Sequence, residues 1–245
     1  MKKAVGLQFV LMVGWLLLCS QVHSGDLGTE KAEIKNKLAE SASVNNSSAE
    51  KSSTENPRVV LSTEMGAIVL ELYSDKAPVT VDNFIKDINN YRYDGLIFHR
   101  VIKGFMIQSG GHTFDLSFRD SGREPIVNEA DNGLSNIRGS VAMARIAHPD
   151  SAQAQFFINH KNNRRLDRSA SMPGYAVFGA VVSGMDVVDA IASVEVRSIG
   201  IYDDVPVTPI RILKARLQNP EAWTPLPEAE PEPAFEMPVP LYLNK

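Results

Sequence analysis

Cysteine is almost absent from this chain. Its 245 residues include one cysteine, Cys19, so no disulfide can form within the chain. Histidine, the other common ligand of structural metals, occurs only five times and without ligand spacing. A structural zinc or iron–sulfur centre needs clustered cysteine and histidine ligands, so we expect no such centre.

An excess of basic residues is also missing. The chain has 25 Lys and Arg against 29 Asp and Glu, a net charge of −4 at pH 7. Residues 1–24 contain two lysines and no acid, so the remainder carries 23 basic and 29 acidic residues, a net charge of −6. Proteins that bind nucleic acid carry a basic patch or stripe. We therefore expect no nucleic-acid partner.

A long hydrophobic run occurs only at the N-terminus. Residues 1–24 begin with two lysines, continue through an apolar stretch over residues 4–18, and end in small or polar side chains. Val22 and Ser24 occupy the −3 and −1 positions for cleavage before Gly25. This pattern is typical of a secretory signal peptide.

Two other interpretations of the N-terminus stay open. Cys19 follows three leucines in a weak likeness to a lipoprotein cleavage site, so it is a candidate for a lipid anchor. The apolar stretch could instead remain as an uncleaved anchor, although it is short of the roughly 20 residues that span a bilayer.

Composition divides the rest of the chain into three parts. Residues 25–56 are rich in Ser, Asn, Lys and Glu and have few large apolar side chains, which predicts a polar flexible linker. Residues 218–245 hold seven of the 14 prolines and predict an extended Pro/Glu-rich C-terminal tail, acting as a spacer or docking arm. Between them, residues 57–217 have the composition of one globular domain.

Short alternating patterns dominate this domain. Residues 59–73 predict a β-hairpin, and residues 78–90 predict a helix with Thr80 as its N-cap. A second helix is predicted over residues 184–194. Further strands are predicted over 95–111 (two strands broken at Gly104), 139–145, 154–160, 175–182 and 205–217. Many short strands with two helices favour a mainly β fold, a closed antiparallel barrel; because a closed barrel has no free edge, we expect a monomer.

One apolar stretch carries unexpected polar residues. Residues 98–110, FHRVIKGFMIQSG, contain Arg100 and Gln108 but no acidic residue to pair with the arginine. SVAMAR, AQAQFFINH, LD and YAVFGAVVSGMDVVDAI follow in order. Together these segments resemble the cyclophilin family of peptidyl-prolyl cis/trans isomerases, most closely its periplasmic bacterial members, over residues 57–217.

The resemblance implies a fold, a site and a substrate. The family fold is an eight-stranded β-barrel capped by two α-helices, and its substrates are proline-containing polypeptides, here exported or unfolded chains in the periplasm. Arg100 matches the family's catalytic arginine. Matching positions that would contact the substrate are Phe105, Met106, Gln108, Ala144, Arg145, Gln155, Phe157, Leu166 and Tyr175.

One position departs from the family pattern. The aromatic residue usual before Leu166 is here Arg165. This substitution implies a thinner apolar wall beside the proline pocket and a reduced sensitivity to cyclosporin-like cyclic peptides.

The chemistry itself requires little. Rotation about an X-Pro bond breaks no covalent bond, so neither a nucleophile, a metal nor a cofactor is needed, and we expect none. Amide resonance opposes the rotation with a barrier of about 18–20 kcal/mol. A guanidinium is a donor that cannot lose its proton. It would lower this barrier because it donates to the prolyl nitrogen more strongly in the twisted state than in the planar one.

Simpler interpretations compete with these assignments. Arg100 could be a strand arginine that extends to water, and Phe105, Met106 and Phe157 could be ordinary core residues. Tyr175 could serve mainly in packing, and Gln155 could only satisfy backbone groups. The function could likewise be that of a proline-peptide-binding holdase chaperone with little turnover, or of an envelope scaffold.

Overall fold

A computed structural model describes residues 55–227 of the chain. The predicted signal peptide, nearly all of the predicted linker and residues 228–245 of the predicted tail lie outside these described residues. Among residues 55–227 no helix combines the length and the hydropathy needed to span a membrane.

The described part of the chain is mainly β, as predicted. Eight strands form one antiparallel sheet in the order β10-β1-β2-β7-β5-β6-β4-β3, and β8 and β9 form a separate hairpin. The strands are β1 Arg58–Thr63, β2 Gly66–Leu72, β3 Arg100–Ile102, β4 Met106–Ser109, β5 Ser140–Met143, β6 Phe156–Asn159, β7 Val177–Ser183, β8 Val196–Ile199, β9 Tyr202–Pro206 and β10 Ile212–Leu217.

The sheet curls until its two ends meet at a short bridge. The Phe98 N–H donates to the Ile210 carbonyl at 3.0 Å, and the Ile212 N–H donates to the Leu96 carbonyl at 2.8 Å. The edge strands β3 and β10 do not continue this pairing, since β9 lies beside β3. The predicted eight-stranded antiparallel sheet with two helices is therefore confirmed, but the predicted closure is limited to this bridge.

The two helices are α1, Pro78–Asn89, and α2, Met185–Ile191. The N-cap of α1 is Ala77, so the prediction that Thr80 caps this helix is wrong. Thr80 lies in the first turn, where its N–H and its hydroxyl both donate to the Glu129 carboxylate, at 2.8 and 2.7 Å. A carboxylate distant in sequence thus satisfies the free N–H groups at the helix start.

The predicted last strand over residues 205–217 is divided in two. Its first residues belong to β9 and its last six form β10. Pro206 and Pro209 lie at the division, and because proline has no N–H, neither can donate to a continuous ladder. The division frees β9 to pair with β8 outside the main sheet.

The hydrophobic core fills the space between the inner face of the sheet and the helices. Its largest members include four buried aromatic residues, which pack with ring centroids 5.1–5.5 Å apart. They are Phe84, Tyr93, Phe156 and Phe178. Because side chains alternate along a strand, the neighbours of these core residues in the sheet project from its other face, where the candidate site lies.

The first residues of the predicted tail lie against the domain. The Asn219 side chain accepts the Arg58 N–H at 2.6 Å, and Trp223 packs against the edge of the core. The Leu226 N–H donates to the Asp82 carboxylate at 3.0 Å. Residues 218–227 are therefore part of the folded unit.

Candidate active site

A cavity of about 340 Å³ opens on the outer face of the sheet. Nine of the ten predicted site residues line it, and Gln155 is the exception. The lining residues are His99, Arg100, Phe105, Met106, Gln108, His112, Ala144, Arg145, Phe157, Leu166, Tyr175 and Tyr202. Residues from distant parts of the chain thus meet at one concave surface.

The floor of the cavity is a small apolar cluster, separate from the main core. Met106, Ala142, Phe157 and Val177 are buried in it. Phe105, Ala144, Leu166 and Tyr175 pack against this cluster from the rim. The resulting slot is apolar and suits a small ring such as that of proline.

Arg100 lies at the beginning of β3, across the β3–β4 pair from Gln108. Its side chain is 45% exposed, and its Nε lies 3.5 Å from a carboxylate oxygen of Asp204. The acidic partner that the surrounding stretch lacks thus comes from β9, about a hundred residues further along the chain. Asp204 was not predicted, because nothing in the local sequence connects it with Arg100.

Gln155 does not line the cavity but contacts Gln108, which does. The Gln108 side-chain amide donates to the Gln155 side-chain oxygen at 2.9 Å. The glycine at position 111 leaves room for the Gln155 side chain, because a Cβ there would lie 2.6 Å from the Gln155 Cδ. Gln155 therefore orients Gln108 and lines an adjoining depression of about 350 Å³.

Arg145 is held flat on the opposite rim. Its Nε and one Nη donate to the carbonyls of Gly174 and Ile146 at 3.1 and 2.9 Å. Its Cζ lies 4.5 Å from the centre of the Tyr175 ring, within the range of a cation–π contact. Tyr175 therefore does more than pack at the rim, since its ring also supports the Arg145 guanidinium.

Arg165 and Leu166 belong to a 3-10 turn, Arg164–Leu166. The Arg165 Cζ lies 5.0 Å from the centre of the Phe105 ring, so the guanidinium covers one face of this ring. At the position where the resemblance led us to expect an aromatic residue, the chain thus has a cation stacked on Phe105, a residue that lines the cavity. The predicted thinner apolar wall beside the proline pocket stays a prediction.

A buried amide network, which the sequence reasoning missed, anchors this turn. The Asn163 side chain donates to the Phe105 carbonyl and to the Asn159 side chain, both at 2.7 Å. Asn159 donates in turn to Asn136, and Asn136 to Asp167. Since buried amides are stabilising only when they are hydrogen-bonded, the network fixes the backbone of Phe105. The only signal for it was Asn159 at the end of an apolar strand.

Two histidines and a tyrosine extend the cavity beyond the predicted set. The ring of His112 lies 4.4 Å from that of His99 and 5.0 Å from that of Tyr202. Burial, and then the neighbouring His112, lowers the pKa of His99 from 6.5 to about 3. Burial also lowers the pKa of His112. Both rings are therefore neutral at pH 7, and the positive charge of the cavity belongs to Arg100 and Arg145.

No group of three or more His, Cys, Asp or Glu side chains among residues 55–227 is placed to hold a metal ion.

Fold and cavity together define a mainly β protein with a concave, largely apolar site on the outer face of its sheet. The family model of the cyclophilin-type peptidyl-prolyl cis-trans isomerases matches residues 58–217. The chain therefore belongs to the cyclophilin family of peptidyl-prolyl cis/trans isomerases, as its sequence indicated.

Bacterial relatives share about half of the domain's residues. A peptidyl-prolyl cis-trans isomerase of Acinetobacter baylyi is 47% identical over 165 residues, which cover 67% of this chain and 87% of that protein. The isomerase cyp18 of Streptomyces antibioticus is 52% identical over 162 residues, covering 65% and 97%. Isomerase B of Escherichia coli is 49% identical over 151 residues, covering 60% and 92%.

Solved structures agree on the fold. A cyclophilin-type isomerase of Cryptosporidium parvum, crystallised in the presence of the dipeptide Ala-Pro, has a TM-score of 0.53 at 23% identity, covering 65% of this chain and 98% of that one. A cyclophilin of Hirschia baltica has a TM-score of 0.53 at 23% identity, covering 65% and 73%.

Proposed function

We propose that this cyclophilin accelerates rotation about X-Pro bonds in exported or unfolded protein chains. One observation carries the proposal: the Arg100 guanidinium and the apolar slot around Phe157 line the same cavity. The slot would hold the proline ring while the guanidinium lies beside the bond that rotates.

The proposed mechanism uses differential binding. In the twisted state the prolyl nitrogen becomes pyramidal and can accept a hydrogen bond, which the planar amide nitrogen accepts poorly. A donor at Arg100 would therefore stabilise the twisted state more than the ground state, which lowers the barrier rather than only tightening binding. Gln108, held by Gln155, would orient the peptide backbone beside it.

The required reduction of the barrier is larger than one hydrogen bond can supply, so several residues have to contribute. An acceleration of about 10⁵-fold needs about 7 kcal/mol off the barrier. A hydrogen bond to a charged group contributes about 1.5–3 kcal/mol. The apolar slot and the orientation of the peptide would supply the rest.

The cellular context is part of the proposal. The pattern of residues 1–24 supports export, and we place the mature protein in the periplasm as a monomer. Mass measurement of the mature N-terminus distinguishes cleavage after Ser24 from lipidation at Cys19, and an intact N-terminus would indicate an uncleaved anchor.

Exchange NMR on an uncharged Ala-Pro peptide tests the activity. The wild-type protein should increase the cis/trans exchange rate, and Arg100→Ala should lower the turnover rate about 10- to 100-fold with a much smaller change in peptide affinity. Arg197→Ala is the matched control, because Arg197 is an exposed strand arginine outside the cavity.

Two outcomes would change this conclusion. Binding of the peptide by wild-type protein without faster exchange would favour the holdase alternative. Equal losses of turnover and affinity in Arg100→Ala would reduce Arg100 to a binding residue.

A further inference from the structure

The hairpin of β8 and β9 lies outside the main sheet and borders the cavity through one residue of β9. Its strand β9 lies beside β3 and contributes Tyr202 to the lining and Asp204 to the ion pair with Arg100. We propose that Asp204 is a positioning residue, which holds the Arg100 guanidinium by its Nε and leaves the terminal amino groups to face the substrate. This inference rests on the proposed function, because it concerns how Arg100 acts.

A β-bulge aims Asp204 at Arg100. In the hairpin Arg197 pairs with Val205, and Ile199 pairs with Tyr202. Ser198 is therefore opposite two residues of β9, Asp203 and Asp204, rather than one. An extra residue of this kind redirects a side chain out of the regular alternation.

The two aspartates of the bulge have different partners. Asp203 accepts a hydrogen bond from the Ser198 hydroxyl at 2.6 Å, within the hairpin. Asp204 instead forms the ion pair with Arg100, with its Oδ2 3.5 Å from the Arg100 Nε. The bulge thus directs one carboxylate into the hairpin and the other toward the cavity.

The backbone at Asp204 takes a conformation that most side chains avoid. Its φ is +59°, in the left-handed region. Aspartate and asparagine tolerate this region better than other residues with a side chain, although it carries some strain. Since glycine would adopt it more easily, the conformation is consistent with a need for a carboxylate at this position.

The ion pair between Arg100 and Asp204 is better suited to orienting the guanidinium than to stabilising the fold. The side chains of Arg100 and Asp204 are 45% and 35% exposed, and ion pairs of this exposure add little to folding stability. Within residues 55–227, the contact with Asp204 is the one ion pair or hydrogen bond that fixes the Arg100 guanidinium. A freely rotating arginine would spend less time in the productive geometry, which costs rate.

Charge removal at the two aspartates tests this role. Asp204→Asn keeps the size and the tolerance of the left-handed conformation but removes the charge; Asp203→Asn makes the same change one residue away. For an uncharged Ala-Pro peptide, we expect Asp204→Asn to lower turnover about three- to tenfold with nearly unchanged affinity, and Asp203→Asn to lower it less than twofold.

A double variant separates positioning from a general structural effect. In the Arg100→Ala background, Asp204→Asn should cause no further loss of turnover, because the residue that it positions is gone. In ¹⁵N NMR spectra, the Arg100 Nε–H signal, identified by its loss in Arg100→Ala, should exchange with water faster in Asp204→Asn than in Asp203→Asn.

Three results would overturn the inference. They are equal turnover in the two single variants, additive losses in the double variant, or unchanged Nε–H exchange in Asp204→Asn. Failure of the proposed function is a different result, namely wild-type protein that does not accelerate exchange, and the Nε–H measurement still tests the positioning in that case.

Discussion

Phe156 and Phe157 are neighbours on β6 but belong to different parts of the molecule. Phe156 is fully buried in the core, in edge-to-face contact with Phe84 and Tyr93 at 5.4 and 5.5 Å. Phe157 lies on the other face, in the floor of the cavity, with Tyr175 at 5.8 Å. One strand therefore stabilises the fold with one face and builds the candidate site with the other.

The same alternation explains the polar residues in an apolar stretch. Val101 and Ile107 are buried in the core, while Arg100 and Gln108 line the cavity from the same two strands. A sheet with a core on one side and a binding surface on the other needs hydrophobic residues at alternate positions only.

Alanine substitution of the two phenylalanines should show the largest difference between the two faces of the sheet, one in stability and the other in peptide binding. Phe156→Ala removes a fully packed ring and should lower the free energy of unfolding by about 3–5 kcal/mol. Phe157→Ala should lower it by about half as much, since its cluster is small, but should weaken peptide binding at least tenfold. Urea unfolding and peptide titration measure the two effects.

The control is the peptide affinity of Phe156→Ala, measured at a temperature where the variant is folded. It should stay close to that of the wild-type protein. Peptide affinities that fall equally in both variants would show that the two faces are not independent.

His99 lies at the boundary between core and cavity and should make stability depend on pH. Its folded pKa of about 3 lies below the unfolded value of 6.5. Its contribution to stability is therefore fully present above pH 6.5 and is lost as the pH falls toward 3, by up to about 1.4 kcal/mol per pH unit. Asp87, whose pKa burial raises to about 6, acts in the opposite direction between pH 4 and 6.

Comparison of His99→Phe with wild type isolates this contribution, because Asp87 is present in both. As the pH is lowered from 7.5 to 4.5, the unfolding free energy of the wild-type protein should fall relative to that of His99→Phe. Substitution of the exposed His148 by phenylalanine serves as the control. Parallel stability curves for wild type and His99→Phe would contradict the prediction.

Arg165 should have the smallest effect, confined to the rim of the cavity. Arg165→Trp would restore the aromatic wall beside Phe105 and should tighten cyclosporin binding about tenfold, since an aromatic contact contributes about 0.5–1.5 kcal/mol. Arg164→Trp, at the exposed neighbouring position, should leave it unchanged. Nanomolar inhibition of the wild-type protein by cyclosporin would show that Arg165 does not reduce sensitivity.

The sequence was most informative where local pattern decides structure. The strands of the main sheet, both helices and nine cavity residues followed from alternation and from segments in register with a known family, but β8 and its pairing with β9 were not predicted. It was uninformative where contacts join distant segments. The carboxylate of Glu129 at the start of α1 and that of Asp204 beside Arg100 depend on loop paths that no local pattern encodes. The asparagine network around Asn163 escaped notice for the same reason, since each amide looks ordinary in its own segment.

The two ends of the folded domain lie next to each other. The first and last strands of the main sheet, β1 and β10, are direct neighbours, and the Asn219 side chain hydrogen-bonds the backbone of both Asn56 and Arg58. A short peptide could join these two places without stretching the sheet. We therefore expect a permuted domain, with the present ends joined and the chain opened at an exposed turn, to fold to the same sheet and keep the same cavity.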